Sequence, residues 1–175
     1  MEDYILIKKI INGDITAFDR LVRKYYKNVY IYCYKRFGKK EIAEDLTQEI
    51  FLKIIKTIYK YQKNGKFSNF IFTITINTCN DYYRKNKIHM DELDINLKDE
   101  QIDIEENLIK KSEKVYLLKM INTLPEIQRD AIILHYYNDI KIKQIAEIKN
   151  VPINTIKSRI KQGIDKLKKY IKRGE

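Results

Sequence analysis

The sequence predicts an all-α protein of two small helical domains joined by an acidic linker, the second domain a helix-turn-helix. Three observations carry this expectation. Chain breakers are scarce, with 5 Gly and 2 Pro in 175 residues, too few for the many turns of a β-sandwich. Apolar residues recur at helical spacing on both sides of an acidic stretch, residues 89–101, that itself shows no clear helical period. Charge changes sign along the chain: residues 1–86 carry 17 basic and 9 acidic side chains, residues 87–112 carry 4 and 8, and residues 113–175 carry 14 and 7. The predicted division is therefore 1–86, a linker at 87–112, and 113–175.

Helical segments are expected near 2–12, 15–37, 41–62 and 67–86, then near 105–123, 126–138, 142–149 and 153–172. Breaks fall at Asn12-Gly13-Asp14, Gly38, Asn64-Gly65, Leu124-Pro125 and Asn150-Val151-Pro152. In the third segment Leu46, Ile50, Ile54, Ile58 and Phe51 gather on one side. Asp45, Gln48, Glu49 and Leu52 gather on the other. An apolar Leu52 ringed by polar and acidic groups suits a partner site, although exposed leucines are common in themselves. The fourth segment buries Phe67, Phe70, Ile71, Ile74 and Thr78. Its opposite face holds Thr73, Asn77, Asn80 and Arg84, with Phe72, Ile76, Tyr83 and Lys85 nearby. Amides, cations and rings on one surface suit single-stranded DNA; a second packing face would also account for Phe72 and Ile76.

The strongest local pattern runs from Ile142 to Ile160. A short helix turns Ile145 and Ile148 inward, and Ala146 permits close packing. Asn150 sits where the chain must turn, a place where Asn tolerates left-handed backbone. Pro152 suits the start of the following helix, which buries Ile156, Ile160, Ile164 and Leu167. Its other face offers Asn154, Thr155, Lys157, Ser158, Arg159, Lys161 and Gln162 to phosphates and base edges. Gly163 should loosen that helix by about 1 kcal/mol relative to alanine.

Composition narrows the function. A net charge of +11 suits a polyanionic partner, or simply solubility in a lysine-rich chain. No apolar run reaches the roughly 18 residues that span a bilayer, and the start lacks the pattern of a signal peptide, so a cytoplasmic protein without membrane insertion is expected. Cys33 and Cys79 are expected to be free buried thiols. His89 and His135 stand apart, so neither a metal site nor a cofactor is expected. Asp45 and Glu49 lie on one helix with no second acidic cluster, which argues against catalysis.

The motifs resemble the sigma-70 family of RNA polymerase sigma factors. Leu124-Pro125-Glu126-Ile127-Gln128-Arg129-Asp130-Ala131, Tyr136-Tyr137, Ile145-Ala146-Glu147-Ile148 and Thr155-Ile156-Lys157-Ser158-Arg159 are similar to the family's C-terminal domain. The resemblance implies binding of the −35 promoter element by the seven polar residues of the last helix. Asp45-Leu46-x-Gln48-Glu49-x-Phe51 resembles the helix that docks on the polymerase β′ coiled coil. It implies contacts from Asp45, Gln48, Glu49 and Leu52 to a core enzyme whose β and β′ subunits are the expected partners. The fourth segment resembles the helix that reads and melts the −10 element, which implies roles for Thr73, Asn77, Asn80, Tyr83, Arg84 and Lys85. Phe70 stands where Trp is usual and Thr75 where Ala is usual. The length implies the extracytoplasmic-function (ECF) group, with promoter DNA and an anti-sigma factor as further partners. The acidic linker would then lie in the RNA exit channel. A stand-alone helix-turn-helix regulator is the competing reading, and it leaves the Asp45–Phe51 motif without a use.

Overall fold

The computed structural model describes residues 2–61, 66–90 and 108–173, with side chains described at 2–61, 66–86 and 116–172. The order is α1 (Glu2–Ile11), α2 (Ile15–Phe37), α3 (Lys40–Thr57) with a closing 3₁₀ turn (Ile58–Lys60), α4 (Phe67–Met90), α5 (Leu108–Thr123), α6 (Glu126–Ile132) running into a π turn (Ile133–Tyr137), α7 (Ile142–Lys149) and α8 (Ile153–Arg173). The described residues contain no strand. Helices α4 and α5 both reach into the segment expected to be linker. The expectation of an acidic tether through 91–107, and of its place in an exit channel, lies outside the described residues.

The N-terminal domain is built on α2. Asp14 starts this helix by accepting the Ala17 N–H at 3.1 Å, satisfying one of the free donors of a helix start. Gly38 ends it at φ 70°, a left-handed conformation that costs glycine little. Leu21, Val29, Ile50, Ile54 and Ile71 meet at the centre of α2, α3 and α4 with no exposed surface. Each such burial contributes roughly 1.5–3 kcal/mol before entropy is counted. Helix α4 is buried on two sides, because Phe72 and Ile76 are as deeply covered as Ile71. Phe72 meets the Tyr32 ring edge-on at 6.5 Å. These two side chains therefore belong to a second packing face and do not flank an open nucleic-acid surface.

In the C-terminal domain, Ile133, Leu134, Ile145 and Ile156 form the floor of the helix-turn-helix. Asn150 has φ 49° and its N–H closes the end of α7 on the Ala146 and Glu147 carbonyls. Gly163 has a role that local propensity hides. A Cβ at this position would lie 2.6 Å from Ile132 Cδ1, so the absent side chain lets α8 approach α6. Gly163→Ala should consequently give no net stabilisation. The helix gain of about 1 kcal/mol is offset by overpacking of roughly 1–3 kcal/mol, and an unchanged or lowered midpoint in urea unfolding is expected.

The two domains close on one another through polar groups. Asp130 of α6, fully buried, accepts the Tyr32 hydroxyl at 2.8 Å and Arg36 Nη1 at 2.6 Å, both from α2. Its second oxygen accepts Lys149 Nζ at 2.7 Å. Arg36 Nη2 reaches Asn80 Oδ1 at 2.7 Å and Glu126 Oε1 at 3.3 Å. At the edge, Asn138 donates to the Asn28 carbonyl, Gln144 to Ser68 Oγ and Asn69 to Glu147. Cys33 and Cys79, both buried and unbridged, lie 3.7 Å apart beneath this contact.

Candidate nucleic-acid and partner interfaces

Three surfaces collect the residues singled out in the sequence. On α3, Asp45, Gln48 and Glu49 are exposed and Leu52 is 57% exposed. Below them Ile55 and Tyr59 are also exposed, at 39% and 65%. Sequence reasoning missed these two, although their spacing of three and seven from Leu52 puts them on the same helical face. The result is an apolar stripe headed by acids and an amide. Glu49 pairs with Lys53 at 2.6 Å, an exposed pair that contributes well under about 1 kcal/mol and leaves the carboxylate open to exchange.

On α4, Thr73, Asn77, Arg84 and Lys85 are exposed. Thr73 returns its hydroxyl to the Asn69 carbonyl at 2.8 Å, while Arg84 is paired with Asp81. Asn77 has no hydrogen-bond partner among the described residues, so its amide is free for a ligand. Asn80 and Tyr83 differ from the other four. Both are half-buried at the domain contact, Asn80 accepting from Arg36 and the Tyr83 ring lying 5.9 Å from the Arg129 guanidinium. The structure thus gathers all six residues on one helix but turns Tyr83 towards the other domain and ties Asn80 to Arg36 of its own.

On α8, Asn154, Lys157, Ser158, Lys161 and Gln162 are exposed, while Thr155 and Arg159 are half-buried. Gln162 donates to Ser158 Oγ at 3.2 Å and accepts from Gln128 of α6 at 3.1 Å. These bonds hold two polar groups of the helix in fixed directions before any ligand arrives. The combination of exposed amides, hydroxyls and cations on the second helix of a helix-turn-helix suits a major groove.

The electrostatics of the domain contact follow from its burial. Burial pushes the Asp130 carboxyl up, but the Arg36 and Lys149 cations and the Tyr32 hydroxyl outweigh it and hold it below the usual carboxylate value. Burial and the Asp130 charge push the Tyr32 phenol up. Arg129 is lowered by burial and by the nearby Arg36 charge, and its Nε finds no hydrogen-bond partner among the described residues. One carboxylate therefore serves several crowded cations. Among the described residues no cluster of His, Cys, Asp and Glu could hold a metal ion, and no helix is long and apolar enough to cross a membrane.

Comparison with known proteins identifies the class that these surfaces define. Residues 21–88 match Sigma-70 region 2 and residues 114–167 match Sigma-70, region 4. The ECF RNA polymerase sigma factor SigW of Bacillus subtilis is 30% identical over 178 residues, covering 95% of each chain. The ECF RNA polymerase sigma-E factor of Haemophilus influenzae is 27% identical over 171 residues, covering 91% of this chain and 90% of that one. The chain belongs to the sigma-70 family of RNA polymerase sigma factors. Within that family it is a member of the ECF group. Two solved structures share its fold. One is CnrH in complex with the cytosolic domain of CnrY, with a TM-score of 0.78 at 16% identity over the whole of both chains. The other is the sigma factor RpoE with the anti-sigma factor NepR from Bartonella quintana, with a TM-score of 0.69 at 23% identity, covering 89% of this chain and 96% of that one.

Proposed function

We propose that this sigma factor grips core RNA polymerase through the α3 stripe, reads unpaired −10 bases with α4, and docks α8 on −35 duplex. It directs the polymerase to promoters and performs no chemistry of its own. The observation that carries the reading is the exposed Asp45–Gln48–Glu49–Leu52 face on the same chain as a helix-turn-helix. A stand-alone regulator accounts for α8 alone. Capturing a base costs a few kcal/mol of unstacking, offset by stacking at roughly 1–3 kcal/mol per base. Tyr83 is committed to the domain contact and Asn80 to Arg36, the side chain that bridges it, so the domains have to part before α4 takes up DNA with both. An anti-sigma factor is the further partner expected of this group.

The test is co-migration of the purified protein with bacterial core polymerase on gel filtration, beside an Asp45→Ala/Gln48→Ala variant. Co-migration weakened in the variant supports the reading. A folded protein that fails to bind, freed of any inhibitor, overturns it. A second expectation concerns Asn77. Because this exposed side chain makes no hydrogen bond among the described residues, Asn77→Ala should leave unfolding and core binding unchanged. Promoter opening should fall about fivefold, the loss of one hydrogen bond worth about 1 kcal/mol. Equal loss of core binding and opening would remove Asn77 from the DNA surface.

A further inference from the structure

Beneath the domain contact lies a pair of groups that binding of polymerase and promoter does not use. Cys33 of α2 and Cys79 of α4 are fully buried, and their sulfurs lie 3.7 Å apart. A disulfide needs about 2.05 Å between sulfurs, so about 1.7 Å has to be closed, a movement that two side-chain rotations divide between them. Buried thiols can serve simply as small apolar residues, but the cover over this pair is polar. Tyr32 precedes Cys33 and donates to Asp130, while Asn80 follows Cys79 and accepts from Arg36. Burial pushes the Cys79 thiol up, and the neighbouring Cys33 and Asp130 add to the rise, while the Arg36 cation opposes them. The acids that neutralise Arg36, Asp130 and Glu126, both belong to α6. When the domains part, these carboxylates leave and the guanidinium stays. A thiol that meets water beside a cation is in the setting that favours the thiolate, the nucleophilic form.

We propose that Cys33 and Cys79 form a dithiol–disulfide couple that hydroperoxides oxidise only after the second domain has moved off Arg36. The Cys79 thiolate attacks one peroxide oxygen and the O–O bond breaks. Cys79 becomes a sulfenic acid, and an alcohol (water, from hydrogen peroxide) departs with the proton the thiol released. The Cys33 sulfur then attacks the Cys79 sulfur, and the hydroxyl leaves as water with the Cys33 proton. Two thiols and one hydroperoxide thus give one disulfide, one alcohol and one water; the sulfurs lose two electrons and the peroxide oxygens gain them. The new bond fastens α4, the helix that carries Asn77, to α2. Neither the pair nor its cover depends on the roles given to α3, α4 and α8.

The full chain is treated with hydrogen peroxide, and remaining thiols are blocked at intervals before non-reducing peptide mapping. A peptide joining Cys33 to Cys79 should accumulate and should disappear on reduction with dithiothreitol. Its rate of formation follows the fraction of molecules that are open, so Asp130→Ala should raise that rate at least about tenfold. Lys149→Ala, which leaves Arg36 its carboxylates, should raise it by about threefold, and this variant judges the gate if Asp130→Ala loses helicity. In Cys33→Ser the sulfenic acid should persist at Cys79 and be trapped by dimedone; label absent there would overturn the order of attack. No joined peptide in any of these proteins would reduce the cysteines to apolar filling and overturn the proposal. Oxidation of either thiol directly to sulfinic acid, with no bond between them, would do the same. Equal rates in the parent and in both variants, with helicity retained, would remove the gate.

Discussion

Asp130→Ala should open the molecule rather than unfold it. Removing one partner of a buried charge pair costs roughly 3–5 kcal/mol when the other charge stays buried. Here the stranded Arg36 and Lys149 have an escape, because both lie at the contact between domains and regain water when the domains part. The cores around Leu21, Ile50 and Ile71, and around Ile133, Ile145 and Ile156, do not depend on Asp130 for apolar burial. Solution scattering should therefore show a larger radius of gyration, with helicity by circular dichroism unchanged and the thermal transition split in two. A single transition at lower temperature with helicity lost would mean that Asp130 supports its own domain instead. The pH dependence has a definite sign. The Asp130 pKa is depressed from 3.8, so its stabilisation is present above that value and lost as pH falls through the lower folded value. Scattering at pH 7 and at pH 5 should coincide, and opening should begin only below the ordinary carboxylate range.

Leu52→Asp should all but remove core binding while leaving the fold intact. Leu52 is more than half exposed, so the change costs the free protein only helix propensity, well under about 1 kcal/mol. At a docked interface it would place an unpaired charge at the head of an apolar stripe. Buried anchors of this kind typically carry about 2 kcal/mol or more, about thirtyfold in affinity. A titration of labelled core enzyme reads this loss directly. Ile55→Asp and Tyr59→Ala should give graded losses along the same stripe. If Leu52→Asp binds as the parent does while Asp45→Ala does not, the contact is polar and stops at the first turns of α3.

Much of the architecture could be read from local pattern. The Asp14 cap, Gly38 and the Asn150–Pro152 turn mark their boundaries by chemistry that acts within four residues, and of the predicted stripe Ile156, Ile160, Ile164 and Leu167 all but the half-buried Ile164 lie in the buried face of α8. The faces of α3 and α8 that hold the candidate residues emerged from periodicity, while their assignment to partners came from the resemblance to the sigma-70 family. What escaped depends on contacts remote in sequence. Tyr32 and Arg36 are two polar groups on one helix until Asp130, 94 positions beyond Arg36, lies against them. A helix apolar on two sides gives no hint of which side meets solvent, and so Phe72 and Ile76 were placed beside the DNA face. Gly163 looked like a weak point because helix propensity cannot know of Ile132. The contact of Tyr83 with Arg129 of the second domain, and the bond from Arg36 to Asn80, link residues remote in sequence and have no local signature.

The arginine that joins the two domains also limits how they can be exchanged. Arg36 bonds at once to Asn80 within its own domain and to Asp130 of the other. A chimera that grafts a foreign C-terminal domain onto residues 1–90 would inherit the cation without its carboxylate unless the donor supplies an acid at the same place in the sixth helix. Such a hybrid would rest ajar, without the closing contact of the parent. Transplanting Asp130 and Lys149 together with the grafted domain would restore that contact, making the pair the smallest unit by which domains of this kind become interchangeable parts.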